Sequence, residues 1–133
     1  MRGGQAAGAV AIVVLGILLA GCGSSPLSTS ELHNDATRLC LQASQLTDRI
    51  ATPTSPAGTQ AFLERGIAAL TPELAGLRSL HPSSEVADVY NAAVKSLGQE
   101  LAYLQDARHD LRSGEDPVIS LKTLQQELAS VRT

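Results

Sequence analysis

The chain has 133 residues, of which 44% are hydrophobic, 17% are charged and 2% are aromatic. This length suits one domain, and the composition is typical of a folded chain and not of a disordered one. The net charge of −3 and the low aromatic content exclude nucleic-acid surfaces, base-stacking platforms and aromatic cages, which need clustered basic or aromatic side chains.

The first 22 residues differ from the rest of the chain. A single arginine, Arg2, precedes an uncharged run of 15 residues from Ala6 to Ala20 that is rich in Ala, Val, Ile and Leu. As a helix this run would be about 22 Å long, which is shorter than the ~30 Å hydrocarbon core of a bilayer. It therefore fits the apolar region of a secretory signal peptide better than a permanent membrane span.

The apolar run ends in Leu19-Ala20-Gly21-Cys22. This sequence resembles the lipobox of bacterial lipoproteins, in which an aliphatic and two small residues precede the lipidated cysteine. The resemblance implies a diacylglycerol thioether on Cys22, cleavage between Gly21 and Cys22, and a protein anchored by lipid at the outer face of the cytoplasmic membrane. The alternative is a signal anchor with an incidental cysteine. The Ala/Leu/Arg/Gly-rich composition is similar to that of small, uncharacterised actinobacterial lipoproteins.

The chain is thereby divided into three parts. Residues 1–21 are predicted to be the signal peptide. Residues 22–29 would form the lipidated anchor and a tether, because the stretch after Cys22 is small, polar and typical of flexible linkers. Residues 30–133 are predicted to form one helical domain.

Cys40 is the second cysteine of the chain and would be its one remaining thiol after lipidation. It lies between Leu39 and Leu41 in a helical pattern, and we predict a buried, unreactive side chain. An unpaired cysteine in an exported protein also fits an intermolecular disulfide or a redox-active thiol. Cys40 is therefore a candidate free thiol, with these alternatives left open.

Two helices are predicted in the first half of the domain. The first spans residues 30–50 and begins with Ser28 and Glu31 at capping-box spacing. The second spans residues 57–80 or 59–80, and Pro72 either kinks it or splits it in two. The predicted apolar faces consist of Leu32, Ala36, Leu39, Ala43, Leu46 and Ile50 in the first helix and Leu63, Ile67, Leu70, Leu74 and Leu77 in the second.

Two more helices complete the domain. The third spans residues 84–113 and ends at Gly114, which can adopt the left-handed cap conformation. The fourth begins with Asp116 as N-cap and Pro117 as its first residue, and Leu121, Leu124, Leu128 and Val131 form its apolar face. Gly66, Gly76 and Gly98 are predicted to allow close approach of neighbouring helices or to leave room in the core. Four amphipathic helices with short connections predict an all-α, antiparallel four-helix bundle.

No metal site is predicted. His33, His81 and His109 show no paired spacing within a helix turn, and Cys-x-x-Cys and Glu-x-x-His motifs are absent from the sequence. His33 and Cys40 lie two helix turns apart, but a zinc site would need two further ligands. No cofactor is expected beyond the covalent lipid on Cys22.

The sequence also predicts no catalytic residues. Asp106 and Asp110 share a helix face, but a solvated face explains such a pair better than acid–base chemistry does. Nucleophile-elbow, phosphate-loop and dinucleotide motifs are absent from the sequence, so we predict that the protein is not an enzyme.

Three functions remain as hypotheses. We favour a non-catalytic helical interaction module that docks an envelope protein or a cell-wall component, and an exposed apolar patch of several hundred Å² would support it. The alternative is a carrier or sensor of a small apolar ligand in the bundle core, which a cavity of about 300 Å³ or more would support. The third, metal or redox handling, requires Cys40 to cluster with two histidines.

Overall fold

A computed structural model of the protein describes residues 25–133, and the predicted signal peptide and lipobox lie outside these residues. Within this part of the chain there is no β-strand, and an isolated bridge joins Leu27 to Pro82. The predicted all-α four-helix bundle is confirmed. The helices are α1 Thr29–Thr47, α2 Thr59–Ser79, α3 Ala87–Arg112 and α4 Pro117–Val131, with a 3₁₀ turn at Pro56–Gly58 before α2.

The helices pack in chain order, with α1 on α2, α2 on α3 and α3 on α4. Tyr90 near the start of α3 donates a 2.7 Å hydrogen bond to the carbonyl of Leu77 near the end of α2. At the other end, Arg112 of α3 lies 2.7 Å from Glu64 of α2, so these two helices are antiparallel. Among residues 25–133, the extensive helix contacts of α1 are with α2 alone, so α1 and α4 do not close the bundle.

Most of the core lies between α2 and α3. Two buried clusters form it, one shared by α2, α3 and α4 and the other by α2 and α3. Because α2 has helices on two sides, four of its five predicted apolar positions are buried and the fifth is half-buried. The clusters consist of Leu63, Ala107 and Leu124 and of Ile67, Leu74 and Leu101.

The helix ends follow the capping chemistry that the sequence predicts. The Ser28 hydroxyl accepts a 3.3 Å hydrogen bond from the Glu31 amide, and the Ser28 amide donates a 2.9 Å bond to the Glu31 carboxylate. The Ser28 hydroxyl also donates a 2.7 Å bond to the Glu31 carboxylate, and this bond, together with the one from the Ser28 amide, lowers the pKa of Glu31. Asp116 accepts from the Val118 amide at 2.8 Å, and Gly114 has a φ of 95°. The capping box, the Asp116 cap and the left-handed Gly114 are confirmed.

Two predicted helix bounds are wrong by three residues. The first helix ends at Thr47 and not at residue 50, since Arg49 and Ile50 make short-range turn bonds to the Leu46 and Thr47 carbonyls. The third helix begins at Ala87 and not at residue 84, because the Val86 amide closes a turn on the Ser83 carbonyl. Periodicity continues through such turns, so it does not mark where the helix stops.

Pro72 lies inside α2, which is one continuous helix and is not split. Gly76 allows the predicted close approach, because a Cβ there would lie 2.7 Å from a Leu39 methyl group. Gly66 does not: a Cβ at this position would meet nothing within 4 Å. Gly66 leaves room beside α2, and this room belongs to the site described below.

The chain enters the bundle at the α2–α3 end. The Leu27 amide donates a 2.8 Å hydrogen bond to the carbonyl of His81, which lies in the connection between these helices. The last residues of the predicted tether are therefore attached to the domain, and the tether upstream of them stays a prediction.

Candidate functional site

An apolar groove lies between the end of α1 and α4, where the bundle is open. Its volume is about 400 Å³. Leu63 and Leu124, which are 1% and 5% exposed, form its floor. The remaining wall is apolar apart from two polar side chains, and it consists of Thr47, Ile50, Phe62, Gly66, Leu104, Leu121, Gln125 and Leu128.

Local sequence explains why the groove stays open. Gly66 contributes no side chain at the point where α2 faces it. The chain leaves α1 at Thr47, and Ile50 follows as part of a turn, so no further helical turn covers α4. Phe62, Leu121 and Ile50 remain half-buried as a result. The opening is therefore an apolar surface that no part of residues 25–133 fills.

Two arginines border the groove on the Ile50 side. Arg49 and Arg65 line an adjoining depression of about 350 Å³, and Ile50 belongs to the wall of both spaces. Among residues 25–133, neither guanidinium has a carboxylate within 4.0 Å. Glu73 lines a further depression together with Arg49, but the two side chains form no ion pair. The rim is therefore cationic beside an apolar interior.

Cys40 is exposed, so the prediction of a buried thiol is wrong. Because α1 packs extensively on α2 alone, it buries a narrow stripe, and the neighbouring Leu41 is 57% exposed as well. Partial desolvation and the nearby Glu73 carboxylate raise the pKa of the Cys40 thiol. Burial and the Cys40 charge raise the pKa of Tyr90 too.

We expect Cys40 to react with a maleimide in the folded protein, but with a pH midpoint above that of an unperturbed thiol. The thiolate is the reactive form, and a raised pKa keeps it scarce until the pH is higher. Replacing Glu73 with glutamine removes a negative charge and should lower the midpoint. Labelling rates across pH in the Cys22→Ala chain, where Cys40 is the one remaining thiol, measure this shift.

Glu115→Gln provides the matched control for Cys40 reactivity. Glu115 follows Gly114 in the α3–α4 connection, which lies at the opposite end of the bundle from the α2–α3 loop. Its replacement should leave the labelling profile unchanged. A thiol that reacts only after denaturation would contradict the exposed position of Cys40, and an unchanged midpoint in Glu73→Gln would contradict the role of Glu73.

The third functional hypothesis receives no support from the arrangement of its residues. His33 lies on α1, His81 in the α2–α3 connection and His109 near the end of α3. Within residues 25–133, no three His, Cys, Asp or Glu side chains come together in a group that could hold a metal ion. In the same residues, no helix is both long enough and apolar enough to traverse a bilayer.

The sequence located part of this site and missed the rest. Leu63 of α2 and the three leucines of α4 were predicted as apolar faces, and they line the groove. Phe62, Arg49 and Arg65 were not predicted. The one weak signal was Phe62, the single phenylalanine of the chain, beside a predicted apolar face.

Comparison with models of protein families, with curated proteins and with solved structures found no significant match. The apolar groove, its rim arginines and Cys40 are therefore interpreted from their own chemistry. The wall of the groove is more uniformly apolar than the walls of the two depressions that Arg49 lines.

Proposed function

We propose that the chain is a lipid-anchored, non-catalytic protein of the cell envelope that carries or senses a small apolar ligand in the apolar groove. The observation that supports this function is the groove itself, which has a volume of about 400 Å³ and a nearly wholly apolar wall. Small-molecule sites range from about 300 to 1,000 Å³ and are lined mainly by apolar side chains. Apolar ligands would be bound by burial of their surface, at roughly 25 cal/mol per Å².

The position of the chain entry supports an anchored binding domain. Leu27 lies five positions after Cys22, and a fully extended chain covers at most about 18 Å over this stretch. Leu27 is attached at the α2–α3 end of the bundle. Gly66 lies 13 residues before Ser79, the end of α2, which is about 20 Å along the helix. The groove therefore lies toward the end of the bundle opposite the chain entry, at a distance from the anchor.

A docking function has its own support and remains the second candidate. Val118 and Ile119, at the start of α4, are 65% and 55% exposed, and Val118 borders a shallow depression beside Pro53 and Pro56. Such a surface fits an envelope protein or a cell-wall component. The other large exposed apolar side chains lie on α1 and α3, so the exposed set is distributed over three helices and is weaker support than the groove.

We expect a photoreactive, uncharged 16-carbon alcohol added to membranes to crosslink the full chain in the groove. Mapped crosslinks should fall on the α2 and α4 peptides that contain Gly66 and Leu124. The Gly66→Leu variant should reduce these crosslinks about tenfold. A Cβ at this position would meet no atom within 4 Å, so the leucine side chain would occupy the space left for the ligand. The substitution also favours the helix over glycine by up to about 1 kcal/mol, so the variant should fold.

Ala92→Leu is the matched control for the crosslinking experiment. It adds the same side chain at an exposed position of α3 that does not line the groove. Crosslinks should be unchanged in this variant. Equal labelling of the native chain and Gly66→Leu, or labelling confined to other surfaces, would contradict the ligand-binding function.

A further inference from the structure

We propose that the ligand of the apolar groove is a single-chain anionic amphiphile, with its alkyl chain in the groove and its headgroup between Arg49 and Arg65. This inference rests on the proposed ligand-binding function and specifies its ligand class. It requires that the groove and the arginines form one continuous site, that the arginines are available, and that the space suits one chain. Each of these points has support in the structure.

The groove and the arginine rim are continuous. Ile50 is part of the wall of the groove and of the depression that Arg49 and Arg65 line. Along α2, Arg65 lines the adjoining depression and Gly66 lines the groove, so the two spaces meet this helix at consecutive residues. An amphiphile lying across Ile50 would place its apolar part in the groove and its charged end in the depression that the two arginines line.

The two arginines are available to an anion. Arg38, Arg112 and Arg132 pair with carboxylates at 3.2, 2.7 and 3.9 Å, whereas Arg49 and Arg65 have no such partner among residues 25–133. Asp48 and Glu64 adjoin Arg49 and Arg65 in the sequence, and Glu73 lines a depression with Arg49, but none of these carboxylates lies within 4.0 Å of either guanidinium.

The two rim arginines favour a carboxylate or phosphate headgroup. Guanidinium groups bind such anions with two parallel hydrogen bonds, and these charge-assisted bonds are stronger than neutral ones. Inside the groove, Thr47 already donates its hydroxyl to the Ser44 carbonyl, and Gln125 is the other polar side chain of the wall. The rim therefore supplies the strong anion contacts and the interior supplies almost none.

The size of the groove favours one alkyl chain. Its volume of about 400 Å³ lies near the lower end of the range for small-molecule sites. Along α4 the wall extends from Leu121 to Leu128, which is about 10 Å. A two-chain lipid would need a second apolar space of similar size beside the groove. Of the two adjoining depressions, the one that shares Leu121 has a volume of about 240 Å³, and the one that shares Ile50 carries the arginines.

The test compares two ligands that differ only in their headgroup, which is an anionic carboxylate in one and an uncharged hydroxyl in the other. Native mass spectrometry of the full chain, released from a non-ionic detergent, measures binding of palmitate and of hexadecanol, which have equal chain lengths. We expect palmitate to bind at least tenfold more tightly. Arg49→Gln and Arg65→Gln should each weaken palmitate binding about tenfold and leave hexadecanol binding unchanged, whereas Gly66→Leu should weaken both.

Arg38→Gln is the matched control, because it removes an arginine of α1 that lies outside the groove and its rim. It should leave the binding of both ligands unchanged. Equal binding of palmitate and hexadecanol would overturn the anionic headgroup but leave ligand binding by the groove standing. Failure of both ligands to bind would overturn the proposed function as well. Displacement of palmitate by an equal concentration of a two-chain anionic lipid would overturn the single-chain assignment.

Discussion

Replacing Leu74 with alanine is expected to lower the free energy of unfolding by about 2–5 kcal/mol. Leu74 is 4% exposed and lies in the α2–α3 core cluster with Ile67 and Leu101. This interface joins the two halves of the bundle, since α1 packs on α2 and α4 packs on α3. A domain of this size is stable by roughly 5–15 kcal/mol in total, so the loss is large. Urea unfolding followed by circular dichroism measures it.

The Leu41→Ala variant removes the same atoms from a position that is 57% exposed. Substitutions at exposed sites typically change stability by about 0.5 kcal/mol or less, so its unfolding midpoint should stay close to that of the native chain. A loss of similar size in both variants would mean that α1 packs differently from the structure. An unchanged midpoint in Leu74→Ala would contradict the placement of the core between α2 and α3.

The local features of the fold could be predicted because their causes are local. Ser28 and Glu31 satisfy each other's backbone amides across one turn, and Asp116 accepts the free amides at the start of α4. Gly114 adopts a positive φ that other residues disfavour. Each of these interactions involves residues within three positions, so the sequence contains all the partners.

The openness of the bundle could not be predicted, because periodicity identifies an apolar face but not the helix that covers it. Leu46 belongs to the predicted apolar face of the first helix, yet it is 46% exposed. Cys40 was expected to be buried for the same reason and is exposed. Both outcomes follow from the single extensive partner of α1, which is a tertiary property.

Only part of the candidate site could be predicted from the sequence. Leucines such as Leu63 and Leu124 were predicted to lie on apolar faces, and they are buried in the core and line the groove. Gly66 was predicted either to allow close approach of helices or to leave room, and the sequence did not decide between the two; it leaves room. The rim requires Arg49, which follows the end of α1, to lie beside Arg65 of α2. Such a juxtaposition depends on how two helices cross, and no short motif encodes it.

The Cys22→Ala variant is expected to take up no labelled palmitate, to change its mobility on a denaturing gel and to be extracted from membranes by an alkaline wash. Without the thiol no thioether can form, so the acyl chains that would anchor the chain are lost. Each buried CH₂ contributes about 0.8 kcal/mol, and two or more chains hold a protein far more firmly than one does. The apolar run of residues 6–20 replaces them poorly, because it is about 22 Å long against a ~30 Å bilayer core.

Cys40→Ala is the matched control, since it removes the other cysteine and should leave labelling, mobility and membrane retention unchanged. Label that is lost in Cys40→Ala and kept in Cys22→Ala would assign the lipid to the exposed thiol of α1. The anchored end of the domain would then change, because Leu27 would no longer mark it. If Cys22→Ala leaves all three measurements unchanged, the lipobox resemblance is incidental. Ligand binding by the groove would still be tested by the Gly66→Leu crosslinks and by the binding of palmitate and hexadecanol.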